Sequence, residues 1–152
     1  MAKIFETNEE ISELILNKFD ETGLGGMGIN LRILSVSKQK DILKLSRTSA
    51  TTAFLTHDDL QITVYEAALE RLPKDMQERL VETVLSNVWY DGEKDRLMIE
   101  TNPFVQIFQM RKKYPNIVDD LEIAFNAIKQ IDEEEKERKE AEKASKKTKK
   151  IE

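Results

Sequence analysis

The chain has 152 residues, of which 39% are hydrophobic and 35% charged, and its formal net charge is −5. This length and apolar content suffice for one domain with a buried core. With no cysteine and a single histidine, His57, the sequence excludes disulfides, thiol nucleophiles and a metal site built from two histidines of one chain.

Export and membrane insertion are not expected from the sequence. The first ten residues become acidic too early for a secretory signal, and no apolar run approaches the roughly 20 residues that span a bilayer. The absence of cysteine is consistent with a reducing compartment. We therefore expect a cytoplasmic protein without membrane contact.

The first half of the chain predicts helices and strands in alternation. Residues 7–22 have apolar residues at helical spacing, with Thr7 and Glu10 as a capping box and Gly23 as the C-terminal cap. Segments rich in β-branched and apolar residues predict strands: 29–36, 42–45 and 60–65. Short helices are expected within residues 48–56 and over 66–71.

Four glycines follow the first helix, in Gly23-Leu24-Gly25-Gly26-Met27-Gly28. The spacing matches the dinucleotide-binding pattern, but that pattern needs a strand before it and a helix after it. Here the order is reversed, so we interpret the segment as a flexible capping loop. Because glycine lets a partner's backbone approach closely, Gly25, Gly26 and Met27 are candidate contacts for a protein partner.

The second half predicts three helices and one strand. An amphipathic helix is expected over 74–90. Residues 90–100 predict a turn, with Gly92 at positive φ, that leads into a short strand, and helices are expected from Pro103 and near Asn116. Trp89 and Tyr90, at the end of the first of these helices, are candidate interface anchors. The aromatic and Met positions of the Pro103 helix are expected in the core: Phe104, Phe108, Met110 and Tyr114.

The apolar pattern stops after Ile131, which divides the chain into a globular part, 1–131, and a charged extension, 132–152. The extension carries eight acidic and eight basic residues, and we expect a helix that frays into a disordered segment over 143–150. A flexible lysine-rich arm binds nucleic acid only weakly, so nucleic acid is not the expected partner. The lysines concerned are Lys146, Lys147, Lys149 and Lys150.

The fold class predicted from these elements is α+β: a small single domain with three or four short strands and about four helices. Catalytic chemistry is not expected, because the chain offers no recognised catalytic residues, metal ligands or cofactor motif. His57 is expected in an exposed turn. An alternative site, metal-dependent and hydrolytic, would use carboxylates from predicted turns, Asp58, Asp59, Asp91 and Glu93.

The order of elements resembles a phage metallopeptidase domain family, a zincin-like group. The resemblance covers about residues 31–125: Phe54 to Val64 resemble its turn and strand, Glu66 to Leu72 its short helix, and Pro73 to Glu82 the entry to its metal-binding helix. The resemblance implies a zincin-like core. It places Thr83, Val84 and Asn87 where the family has His-Glu-x-x-His, so it also implies that this chain has lost the zinc site.

Three possible functions follow. The first is a non-catalytic, phage-encoded interaction protein, either a virion component or a binder of a host factor in the host cytoplasm. The alternatives are a metal-dependent hydrolase with the acidic site, or a nucleic-acid accessory protein that uses the basic tail. The sequence leaves the partner and the oligomeric state open.

Overall fold

Six α-helices and six strands in two sheets make up the part of the chain that the structure describes. The structure is a computed structural model that describes residues 3–101 and 103–151, without the side chains of 103–104, 106–107, 109 and 148–151. The α+β class is confirmed. The strands are more numerous than predicted, because the end of the expected helix over 74–90 is a strand and a two-residue strand precedes the first helix. The described helices number six rather than about four, because the two short helices within 48–56 and 66–71 also form.

The larger sheet has four strands in the order β1-β2-β4-β3. The strands are β1 (Ile4–Phe5), β2 (Leu31–Val36), β3 (Leu43–Arg47) and β4 (Leu60–Val64). β2 and β4 are parallel, with Leu31 beside Leu60, whereas β3 runs antiparallel to β4, with Arg47 beside Leu60. One end of the sheet therefore holds the start of β2, the start of β4 and the end of β3; we call it the loop end.

The helix α1 (Glu9–Glu21) begins one residue later than the capping box predicts. Asn8 is the N-cap, and its side chain accepts a hydrogen bond from the backbone N–H of Glu10. The Thr7 hydroxyl instead accepts a hydrogen bond from buried Ser35, which removes it from the capping role. The predicted glycine cap is confirmed, since Gly23 has a φ of 78° directly after the C-cap residue.

The core lies where α1, α3 (Glu66–Leu69) and α4 (Lys74–Leu85) pack with the central strand β4. Alternate residues of β4 are fully buried, as expected for a strand with one face in the core: Leu60, Ile62 and Val64. α1 contributes Ile15 and α4 contributes Val81, both without exposed surface. This packing fixes the position of the loop end.

The expected helix over 74–90 is wrong at its end. α4 stops at Leu85, and β5 (Val88–Asp91) forms a hairpin with β6 (Arg96–Ile99). The chain forms a hairpin here instead of continuing the helix, because backbone hydrogen bonds pair its two arms; the carbonyl of Asn87 accepts one from Glu100 N–H at 2.7 Å. The turn prediction also needs correction, since Asp95, with a φ of 51°, takes the left-handed conformation rather than Gly92.

The last two helices are α5 (Pro103–Lys113) and α6 (Ile117–Ile151), and α6 is continuous over 35 residues. Residues 143–150, for which the sequence predicts a disordered segment, belong to α6 in the structure, and lysine and glutamate have high helix propensity. Ion pairs hold α6 to the body beyond Ile131: Lys38 with Asp132 at 3.5 Å, and Arg71 with Glu134 at 2.6 Å. Residues 136–147 are exposed.

Only some of the α5 residues that were expected in the core are buried. Met110 is buried, Tyr114 is half-buried, and Phe108 is 64% exposed, so the expectation is wrong for Phe108. The side chain of Phe104 lies outside the described residues. Lys112 covers the ring of Phe108, with Nζ 5.3 Å from the ring centroid. No helix in the described ranges is long and apolar enough to cross a membrane.

Candidate interaction surface

The helix α2 (Ala50–Thr56), which connects β3 to β4 at the loop end, has no buried residue. Among the large apolar side chains of the described residues, its two are the most exposed: Phe54 at 81% and Leu55 at 70%. Scattered exposed apolar residues are common, but two adjacent ones of this size are typical of surfaces that another molecule covers. α2 is therefore the centre of the candidate site.

Both ends of α2 are capped. The Ser49 side chain accepts a hydrogen bond from Thr52 N–H at 3.1 Å, which satisfies one of the open N–H groups of the first turn. At the other end His57, with a φ of 62°, adopts the left-handed cap conformation, and its N–H donates to the carbonyl of Ala53. His57 is exposed in this cap, as the sequence predicts. The caps define a short helix in which no residue is buried.

The segment after α2 is tied to the sheet by polar contacts. The guanidinium of Arg32 donates to the carboxylate of Asp58 at 2.8 Å, and the hydroxyl of Thr48 donates to the backbone carbonyl of Asp58 at 2.6 Å. The N–H of Thr48 donates to the carbonyl of Asp59 at 3.1 Å. These bonds join β2, the end of β3 and the start of β4. The position of α2 is therefore set without burial of its apolar side chains.

The glycine-rich segment lies at the same end of the sheet. Asn30 N–H donates to the carboxylate of Asp59 at 2.9 Å, and its side-chain amide donates to the carbonyl of His57 at 2.8 Å. Leu24 is buried and anchors the segment, while Gly25–Met27 form a 3₁₀ turn. Gly25 and Gly26 are exposed and Met27 is 58% exposed, so this predicted contact region adjoins the α2 connection.

The β5–β6 hairpin also approaches the loop end. Arg47, the last residue of β3, donates a hydrogen bond to the carbonyl of Leu97, which pairs with Tyr90 across the hairpin. Trp89 is 43% exposed and Tyr90 37%. The two residues predicted as interface anchors therefore lie on a strand rather than at a helix end.

Three of the four carboxylates of the alternative acidic site accept local hydrogen bonds. Asp58 binds Arg32 and Asp59 binds Asn30. Asp91 accepts hydrogen bonds from the N–H groups of Glu93 and Lys94 within its own turn. Over 3–101 and 103–151, no group of three or more His, Asp or Glu residues is placed to hold a metal ion.

The resemblance singles out three positions of α4 and the residues just after it. Thr83 and Asn87 are buried and Val84 is half-buried, and all three line a cavity between α4 and the sheet edge. Thr83 donates its hydroxyl to the carbonyl of Arg79 at 2.7 Å. These side chains are therefore part of the interior rather than of an open groove.

Comparisons with known proteins yield no relative. No protein-family model matches the chain, and no curated protein or solved structure is significantly similar to it. The resemblance to the phage metallopeptidase family, with its zincin-like core, therefore stays a prediction.

The exposure of Phe54 and Leu55 was not predicted from the sequence. Phe54 entered the sequence analysis only within the short helix expected in 48–56 and at the start of the segment that resembles the family's turn and strand. The available signal was the pair itself, because adjacent helical residues point about 100° apart and a seven-residue helix rarely buries both. This pair alone does not identify the surface, because only the tertiary structure shows that no other element of the described chain covers the two side chains.

Proposed function

We propose that this protein is a non-catalytic protein-binding module whose contact surface is the loop end. The observation that carries the proposal is the exposure of Phe54 and Leu55 on a helix that polar contacts hold in place. The resemblance adds a setting: a phage-encoded protein that is either a virion component or a binder of a host factor in the host cytoplasm.

The energetics of such a surface favour binding. Covering a Phe and a Leu side chain contributes roughly 3–5 kcal/mol before the costs of association are subtracted. Because α2 is capped at Ser49 and His57 and fixed through Asp58, little backbone entropy is lost when a partner binds. A preorganised apolar pair is thus a suitable anchor.

The surroundings of the pair have the composition of an interface rim. Thr51, Thr56 and His57 are exposed next to Phe54 and Leu55. Protein interfaces commonly place apolar anchors at the centre and polar groups around them. Met27 and Trp89, both exposed, are further candidate contacts for the partner.

The test uses two matched double variants. Phe54→Asp with Leu55→Asp places two carboxylates on the loop end, whereas Ile123→Asp with Phe125→Asp makes the same change at exposed positions of α6. Tagged wild type and both variants are used for affinity capture from phage-infected cells, with quantitative mass spectrometry. We expect a specific partner to be lost only with the loop-end variant.

Thermal unfolding of both variants controls for stability, since all four residues are exposed and small changes are expected. Equal capture by the wild type and the loop-end variant would reject the proposed surface. One equivalent of tightly bound zinc, or hydrolysis by the purified chain, would reject the non-catalytic function and favour the alternative enzyme.

A further inference from the structure

A cavity of about 340 Å³ lies between the edge strand β3, the helices α4 and α6, and β6. Its walls are mainly apolar, with Leu43, Leu45, Leu80, Ile99 and Leu121 among the lining residues. Asp41 and Lys44 also line it and are exposed, which places them where the cavity opens to solvent. These residues are distinct from those of the loop-end surface.

One polar atom of the cavity wall lacks a partner. Asn87 is 7% exposed, and its side-chain oxygen Oδ1 is buried without a hydrogen-bond partner within the described chain. Thr83, one helical turn earlier, is satisfied by the carbonyl of Arg79. Since buried acceptors are almost always hydrogen-bonded, the Asn87 Oδ1 atom is suited to accept a hydrogen bond from a group that the described residues do not supply.

The backbone of Asn87 is fixed on both sides. Its N–H donates to the carbonyl of Val84 at 3.3 Å, and its carbonyl accepts from Glu100 N–H at 2.7 Å. The side-chain amide can still turn about the Cβ–Cγ bond, because this torsion has broad minima. A donor inside the cavity can therefore be met by rotation of the amide without movement of α4 or of the hairpin.

We infer that the cavity binds a small, mainly apolar molecule with one N–H or O–H donor, and that the Asn87 side-chain oxygen accepts this hydrogen bond. The volume is at the lower end of the ~300–1,000 Å³ of ligand pockets, which suits one ring or two fused rings. An apolar wall with a single placed acceptor binds the body of such a ligand and selects for its donor.

The test compares two isomers. 3-Methylindole and 1-methylindole have the same atoms and nearly the same shape, but only the first has an N–H donor. Each is titrated into the ¹⁵N-labelled full chain and followed by NMR, with wild type, Asn87→Leu and Asn126→Leu. Asn126 is an exposed residue of α6 and provides the matched control.

For wild type and Asn126→Leu we expect 3-methylindole to bind about fivefold more tightly, the usual difference for one neutral hydrogen bond. In Asn87→Leu the two isomers should bind equally. Shifts should appear at cavity residues such as Val84 and Leu121 and be absent at Phe54. Asn87→Ala, which also removes the side-chain acceptor, serves if the leucine variant does not fold.

Three results would overturn the inference. The first is equal affinity of the two isomers for the wild type. The second is a preference for 3-methylindole that persists in the Asn87 variant. The third is the absence of shifts at the cavity residues up to the solubility limit of both compounds. The loop-end proposal would stand in each case, because it depends on other residues.

Discussion

Arg79 holds the buried carboxylate of Asp120 through two hydrogen bonds, Nε to Oδ2 at 2.7 Å and Nη2 to Oδ1 at 3.2 Å. Asp120 is 5% exposed, and the pair joins α4 to the start of α6. The hydrogen bonds to Asp120, with a smaller contribution from Asp75, raise the pKa of the Arg79 guanidinium, so it stays charged. The ion pair thus fixes the long helix on the body.

Replacing Arg79 with Met should lower the free energy of unfolding by about 3 kcal/mol, because the Asp120 carboxylate would stay buried without a partner. Replacing both residues, Arg79→Met with Asp120→Leu, should cost less than the single change. Urea unfolding measures both. Asp75→Asn, which removes only the exposed contact to Arg79, is the control; a single variant no less stable than the double would contradict the prediction.

Stability should also depend on pH through Glu82. Partial burial of Glu82 opposes its ionisation, but hydrogen bonds from Lys113 and from Tyr114, the latter at 2.5 Å, outweigh it and lower the pKa of Glu82. A carboxylate with a lowered pKa stabilises the folded state above its unfolded-state value, here 4.5, and loses this contribution as the pH falls through the folded-state pKa.

The variant Glu82→Gln tests whether Glu82 causes this pH dependence of stability. At pH 7 the variant should be less stable than the wild type, and the difference should shrink as the pH falls from about 5 to 3. Chemical unfolding at each pH gives the two curves. A difference that stays constant over this range would show that ionised Glu82 does not contribute to stability through Lys113 and Tyr114.

His57 should accept glycine with a gain in stability. A residue other than glycine in the left-handed region is strained, and glycine removes that strain while it costs entropy in the unfolded chain. His57→Gly should therefore raise the free energy of unfolding by about 0.5–1 kcal/mol. His57→Ala keeps the Cβ and serves as the control; equal effects of the two changes would exclude backbone strain as the cause.

Removal of residues 141–152 should leave the fold intact. α6 is held to the body by ion pairs of Lys38 and Arg71 with residues up to Glu135, while 136–147 are exposed. We expect the melting temperature to change by less than about 2 °C. Any weak nucleic-acid binding by the tail lysines should disappear with the deletion. A fall of several degrees would mean that the end of α6 contributes to the core.

Local sequence signals predict most of the larger sheet. β2 and β4 lie within their predicted segments, because β-branched and apolar residues suit strands in almost any surroundings. The hairpin could not be predicted in the same way. Val88 continues the helical spacing of Leu80 and Val84, and only pairing with Ile99 shows that it belongs to a strand. The start of α1 was missed by one residue for a similar reason, since Ser35 engages Thr7 from a distant strand.

The sequence alone determined the chemistry that is available: no cysteine, one histidine, and amphipathic segments that form an α+β domain. Only the tertiary structure decided which side chains of those segments are covered. Met110 is buried and Phe108 is exposed on one helix, and Asn87 is enclosed while Phe54 lies in solvent. Sequence patterns describe residues that are close along the chain, whereas burial depends on which distant elements pack against a residue. The candidate surface and the cavity are therefore defined only in the folded chain.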